Sequence, residues 1–253
     1  MNVKEIYKKL SDKIPESLSE PWDNDGLMCS PDTGSEVFRV LVTLDVTEDI
    51  VDYAISSHFD LVVSHHPLIF KPIKAINDDN HVARKIIKLL EGGVSVFSFH
   101  TRADKVVGGV NDSLCDLVGM YNTVPFGEGM LGRIGDLDDS LDLEDFAYRV
   151  KTVLGADSIR ISDAYNPVSR VAIVGGDGKD FVKAAIEAGA DTYVSGRIGY
   201  NVMAEAPEMG LNMIEAGHYF TEQPVTEFFR DLLLEIDSEL YVEVASSNVI
   251  KVL

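Results

Sequence analysis

The chain has 253 residues, 45% of them hydrophobic and 25% charged, with 42 acidic against 22 basic side chains and a formal net charge of −20. That length and composition support one large domain or two modest ones, each with a buried core, and exclude the polar, aromatic-poor signature of disorder. The charge sets the surface against phosphate backbones and anionic lipid, so neither nucleic acid nor a membrane is an expected partner.

The N-terminal MNVKEIYKKLSDKI reads as an amphipathic helix without the uninterrupted apolar core of a signal peptide. No stretch approaches the roughly 18 apolar residues of a membrane span. Cys29 and Cys115 are the only cysteines. They make no disulfide framework and no CxxC site, and read as small hydrophobes in a chain of the reduced cytosol. Trp22-Asp-Asn-Asp-Gly26 reads equally well as Asx-turn chemistry or as the border of a site.

From residue 38 to 120, apolar runs alternate with helix-like stretches: FRVLVTLDV, TEDIVDYAISSH, DLVVSHH, HVARKIIKLLEGG, VSVFSFH and GVNDSLCDLVGM. That rhythm predicts an α/β fold around a parallel sheet. Thr47 before Glu48 and Asp49 is a helix start with an acidic first turn, Gly92 and Gly93 close the next helix, and Gly108-Gly-Val-Asn opens another. After Pro125 and PFGEGMLGRIG comes a second cycle: helix DLEDFAYRVKTVLG, strand VSRVAIVGG, helix KDFVKAAIEAG, and strands DTYVSG and LNMIEAGH. The expected organisation is a first α/β domain over 1–126 and 218–253, with a second α/β domain, 127–217, inserted into it. The tail from Tyr219 predicts one long helix, TEQPVTEFFRDLLLEI, then two β-rich runs, LYVEVA and NVIKVL, that return to the first sheet.

Four of the six histidines fall at the C-terminal ends of predicted strands, the edge where ligands bind in open α/β sheets. His65 and His66 end DLVVSHH, His100 ends VSVFSFH and His218 ends LNMIEAGH. His100 and Asp104, and His218 and Glu222, are four apart, so a helical turn puts each pair on one face. His65 and His66 are adjacent; on an extended backbone their side chains diverge, which suits two neighbouring ions better than one. Imidazole with carboxylate suits zinc, iron, manganese or nickel, and a pair of such ions with a bridging carboxylate, for which Glu222 is the candidate, makes a hydrolytic centre. His58 and His81 lie on predicted helices and read as ordinary structural residues. Val174-Gly-Gly-Asp-Gly178 runs from strand into helix as anion-binding turns do, yet completes no Walker or GxGxxG pattern, so turn geometry is the simpler reading.

WDNDG at 22–26, SHHPLIF at 64–70, HTRAD at 100–104, GGVND at 108–112, GRIG at 132–135, VGGDG at 174–178 and GHYFTE at 217–222 together resemble the Nif-three-like family, whose members carry the name GTP cyclohydrolase 1 type 2 homolog. The resemblance spans nearly the whole chain. It implies a two-domain Nif-three-like fold of mixed sheets flanked by helices, assembled as a toroidal homohexamer with two divalent metal ions per chain. Carried over residue by residue, it gives His65, His66, Asp104, His218 and Glu222 as ligands, and His100 as an outer residue that orients a ligand or moves a proton. Where the family has Thr-Gly-Asp and a histidine four residues later, this chain has Ser195-Gly196-Arg197 and Asn201. A guanidinium there favours a more anionic small-molecule substrate. Two functions are therefore expected in competition. One is a metal-dependent hydrolase of a small nucleotide-like or phosphate-bearing molecule, with Glu222 and His100 as its working groups. The other is a ring protein that binds or carries metal without turnover.

Overall fold

In a computed structural model, which describes residues 1–252, the first helix, α1 (Val3–Lys13), begins with a capping box. Asn2 Oδ1 accepts from the Glu5 N–H at 2.9 Å, and Glu5 Oε2 accepts from the Asn2 N–H at 3.0 Å. Its apolar stripe buries Val3, Ile6 and Leu10. There follow β1 (Gly26–Cys29), β2 (Arg39–Thr43), α2 (Glu48–Ser56), β3 (Leu61–Ser64), α3 (His81–Glu91), β4 (Ser95–Ser98) and the short α4 (Thr101–Lys105). Thr47 caps α2 through its side chain, as its position before two acidic residues predicts. β3 and β4 are buried at every position, the sign of a strand covered on both faces.

The chain continues through α5 (Val110–Val118), β5 (Met120–Phe126), β6 (Gly132–Leu141), α6 (Leu143–Leu154), β7 (Arg160–Ser162), β8 (Val168–Asp177), α7 (Val182–Glu187), β9 (Thr192–Arg197), α8 (Tyr200–Glu205), β10 (Asn212–Glu215) and α9 (His218–Glu222). It ends in α10 (Val225–Ile236) and β11 (Tyr241–Val244).

The structure divides into two compact units, Met1–Val106 with Val225–Val249, and Val107–Pro224 with Ile250–Leu253. The first holds a five-stranded sheet of order β1-β4-β3-β2-β11. β4, β3, β2 and β11 run parallel, with Val42 opposite Val63 and Val63 opposite Phe97. β1 pairs antiparallel to β4 and makes the sheet mixed. The second unit holds a six-stranded mixed sheet of order β5-β6-β8-β9-β10-β7, parallel only across β8-β9-β10. Each unit has its own apolar cluster, around Leu41, Val62, Leu89 and Val96 in the first and Ala172, Tyr193, Leu211 and Met213 in the second.

The units do not divide at 127 and 217. α5 packs on β5, β6 and β8, which moves the first boundary back to Val107, and α9 packs on β8 and β9, which carries His218 and Glu222 into the second unit. The stretch 120–141, to which the sequence assigns no strand, forms the antiparallel pair β5 and β6. β5 is exposed from Tyr121 to Pro125, so it has no apolar run to betray it. The expected long tail helix is cut at Pro224, which lacks the N–H to continue α9. LYVEVA returns to the first sheet beside β2. The second run forms no strand at 248–252, and Leu253 lies outside the described residues. No helix among them is long and apolar enough to cross a membrane.

Candidate metal-binding clusters

The parallel strands of the first unit all end toward one edge, and the residues just past them carry the chemistry. Asp45 follows β2, His65 and His66 follow β3, and His100 follows β4. The ladder stops at Ser64, whose hydroxyl donates to the His66 carbonyl at 2.9 Å, so the chain bends where the two histidines sit. The expected divergence of His65 and His66 therefore does not occur: their ring centroids are 5.0 Å apart. One ligand atom each from His65, His66 and His100 lies within 4.8 Å of the others.

The protonation geometry of these rings fits a cation. His65 Nδ1 lies 3.0 Å from the Phe99 carbonyl oxygen, which can only accept, so Nδ1 carries the hydrogen and Nε2 the lone pair. His66 Nδ1 is 2.8 Å from Asp45 Oδ1, and His100 Nδ1 is 2.8 Å from Asp23 Oδ1. An acceptor on one ring nitrogen, turning the other outward, is how ligating histidines are oriented in metal sites. Asp104, brought round by α4, places Oδ1 3.7 Å from His65 Nε2. A set of imidazoles and a carboxylate so arranged fits zinc, iron, manganese or nickel.

His100 differs from the other two in its electrostatics. Burial works against its proton, but the hydrogen bond to Asp23 and the charges of Asp104 and Asp23 raise its pKa above the ordinary histidine value. Asp23 is the reciprocal case. Burial alone would push it up, yet hydrogen bonds from His100 and from the Thr101 hydroxyl and N–H hold it well below the usual carboxylate range. His100 thus lies in the cluster with its protonated form favoured more than in a free imidazole.

In the second unit, the first turn of α9 sets His218 Nε2 2.9 Å from Glu222 Oε2, the i, i+4 geometry expected from the spacing. Glu222 is buried and His218 is not. Here the glycines have a function beyond turns. Gly176 has φ +65°, and a Cβ on it would collide with Glu222 Oε1. A Cβ on Gly196 would come within 2.8 Å of His218 Cα. VGGDG is therefore the floor on which the His218–Glu222 pair rests, with the Gly176 N–H donating to Thr221 Oγ1 at 3.1 Å.

Arg197 ends β9, its side chain 72% exposed and 4.0 Å from Asp177 Oδ2. Cys29 and Cys115 sit outside the clusters, each thiol pushed up to about 12 by burial. His81 opens α3, and His58 turns the chain after α2 with φ 56°. Asp23, for which the sequence offered two equal readings, lies beside the imidazole cluster, bonded to His100 and Thr101. Asp45 was missed, although its place at the end of FRVLVTLDV puts it on the same sheet edge as the histidines.

Fold and clusters together define a two-unit α/β protein whose grouped imidazoles and carboxylates could hold metal ions. A profile of the Duf34/NIF3 (NGG1p interacting factor 3) family matches residues 1–252, and the chain belongs to that family. It is similar to a Clostridium perfringens protein called GTP cyclohydrolase 1 type 2 homolog, 32% identical over 232 residues covering 89% of this chain and 88% of that protein. A solved structure of a Staphylococcus aureus hypothetical protein superposes with a TM-score of 0.88 at 26% identity, covering 100% of this chain and 99% of that one. A Bacillus cereus protein related to NIF3, at 24% identity and a TM-score of 0.90 over 100% and 99% of the two chains, shares the fold.

Proposed function

We propose that the chain is a metal-dependent hydrolase of a small nucleotide-like or phosphate-bearing molecule. The observation that carries this reading is the trio of imidazoles, each with an acceptor fixed on Nδ1 and the three gathered at one sheet edge. The ligands we assign are His65, His66 and Asp104 in the first unit and His218 and Glu222 in the second, and the cofactor we assign is a pair of divalent ions. Bound there, such ions would supply Lewis acidity and would make water a stronger nucleophile at neutral pH. Glu222, buried beside His218, would be the carboxylate that holds metal there. His100, with Nδ1 committed to Asp23 and its pKa raised, holds a proton at Nε2 for a leaving group.

The name of the Clostridium relative makes GTP the first compound to try. Turnover should rise with metal loading and disappear in Glu222→Gln. Full loading with no hydrolysis of GTP or of a panel of nucleotides and phosphoesters would instead favour the metal-carrier reading. That reading draws support from Arg197 and Asn201, which stand where the family resemblance implies a carboxylate and an imidazole.

We propose further that Arg197 selects anionic ligands, because a guanidinium matches phosphate in a two-pronged hydrogen bond. Arg197→Asp should weaken nucleotide binding roughly 10-fold while leaving metal content intact, since only a charge-assisted contact is lost. Calorimetric titration at equal metal occupancy measures it, and equal affinity in the two forms would refute it. For the assembly we propose a homohexamer. Light scattering in moderate salt should give six times the 27.8 kDa chain mass. Salt matters because chains of −20 repel until charges are screened beyond about 10 Å at 0.1 M. A monomeric mass would refute it.

A further inference from the structure

The three imidazoles of the first unit are oriented by unequal partners. His65 leans on a backbone carbonyl, which cannot move without the strand. His100 leans on Asp23, whose side chain is fully buried and whose other oxygen accepts from the Thr101 hydroxyl at 2.6 Å and the Thr101 N–H at 3.0 Å. His66 leans on Asp45, and the Asp45 side chain is 42% exposed. A half-exposed aspartate has water as a competitor and several rotamers open to it, so something must hold it.

The holder comes from the far end of the chain. β11 runs beside β2, and the ladder extends through the Ala245 N–H donating to the Val42 carbonyl at 2.9 Å. Two residues further on, Ser247 is 6% exposed although the chain there forms no strand. Its hydroxyl donates to Asp45 Oδ2 at 3.1 Å and accepts from the Asp45 N–H at 3.0 Å. That closes a small ring on one residue. With Oδ2 pinned, Oδ1 faces His66 Nδ1, 2.8 Å away.

We infer that Ser247 is a positioning residue that fixes the tautomer and direction of the His66 ring through Asp45. Its hydroxyl keeps the Asp45 carboxylate in the one rotamer that takes the Nδ1 hydrogen, and so keeps the lone pair on Nε2. The consequence for metal rests on the proposed function, in which His66 is a ligand. The tautomer itself does not.

The test uses the full chain in two measurements. Nitrogen-15 NMR of the imidazoles in metal-free protein reads the His66 tautomer. Ser247→Ala should convert a single Nδ1–H form into a mixture, Asp45→Asn should do so from the other side, and Ser247→Thr, which restores a hydroxyl, should return the single form. An unchanged His66 tautomer in folded Ser247→Ala and Asp45→Asn overturns the inference. Calorimetric titration with Zn²⁺ alone then reads the link to metal. Loss of an orienting partner of a ligand costs about 10-fold or more in affinity, and Ser247→Thr should recover it. A tautomer that changes while zinc affinity stays at the wild-type value would confirm the relay and remove His66 from the ligand set.

Discussion

His65→Ala should lower divalent metal affinity by roughly 100-fold or more, because it removes a directional nitrogen ligand where even an orienting partner is worth 10- to 100-fold. The ring is fully buried, and its Nδ1 hydrogen bond to the Phe99 carbonyl holds it in one orientation, so the lost nitrogen was a well-placed one. His218→Ala should also lower occupancy, but by less. Its ring is more exposed, and water reaches the vacated position more easily. Elemental analysis after reconstitution at neutral pH, with titration of each variant, gives the comparison. Wild-type occupancy in both variants would contradict the ligand assignment.

Gly176→Ala is expected to damage both stability and metal binding. An L residue at φ +65° costs about 1–2 kcal/mol, and the new methyl must also displace the Glu222 carboxylate. For a chain of this size, about 2 kcal/mol corresponds to a drop of roughly 4–8 °C in Tm. Gly155→Ala separates the two contributions. Gly155 has nearly the same φ, +62°, as the cap after α6, but no atom lies within 4 Å of the position a Cβ would take. That variant should show the backbone cost alone and bind metal normally. If both variants lose the same stability and Gly176→Ala keeps full metal affinity, the close approach to Glu222 has no functional weight.

Both variants bear on what the sequence could disclose. Buried parallel strands announce themselves, because LVVS and SVFS have to be apolar on both faces, and the residues just past them then fall on a predictable edge. His65, His66 and His100 were legible for that reason. β5 and β6 were not: an edge strand exposed at every position from Tyr121 to Pro125, MYNTVPF, followed by the acidic GRIGDLDDSL, carries none of the hydrophobic signal that marks a strand. The first unit boundary follows from that omission, since α5 packs on β5 and β6 as well as on β8, whereas α9 is drawn across by β8 and β9, strands the pattern did show. The roles of Asp23, Asp45 and Ser247 depend on contacts across 77, 21 and 202 residues of chain, which no local spacing encodes. Gly176 was visible as a glycine, but the carboxylate that requires it lies 46 positions away in VGGDG's neighbour α9.

The place of β11 has a consequence for how the molecule is made. On a ribosome, β2, β3 and β4 emerge early, yet the outer edge of β2 has no partner until Tyr241–Val244 is synthesised. Everything from Val107 to Pro224 is produced in between, long enough to collapse around its own apolar cluster first. The first unit must therefore wait with an open strand edge for its last element, a closure of high contact order and a slow one.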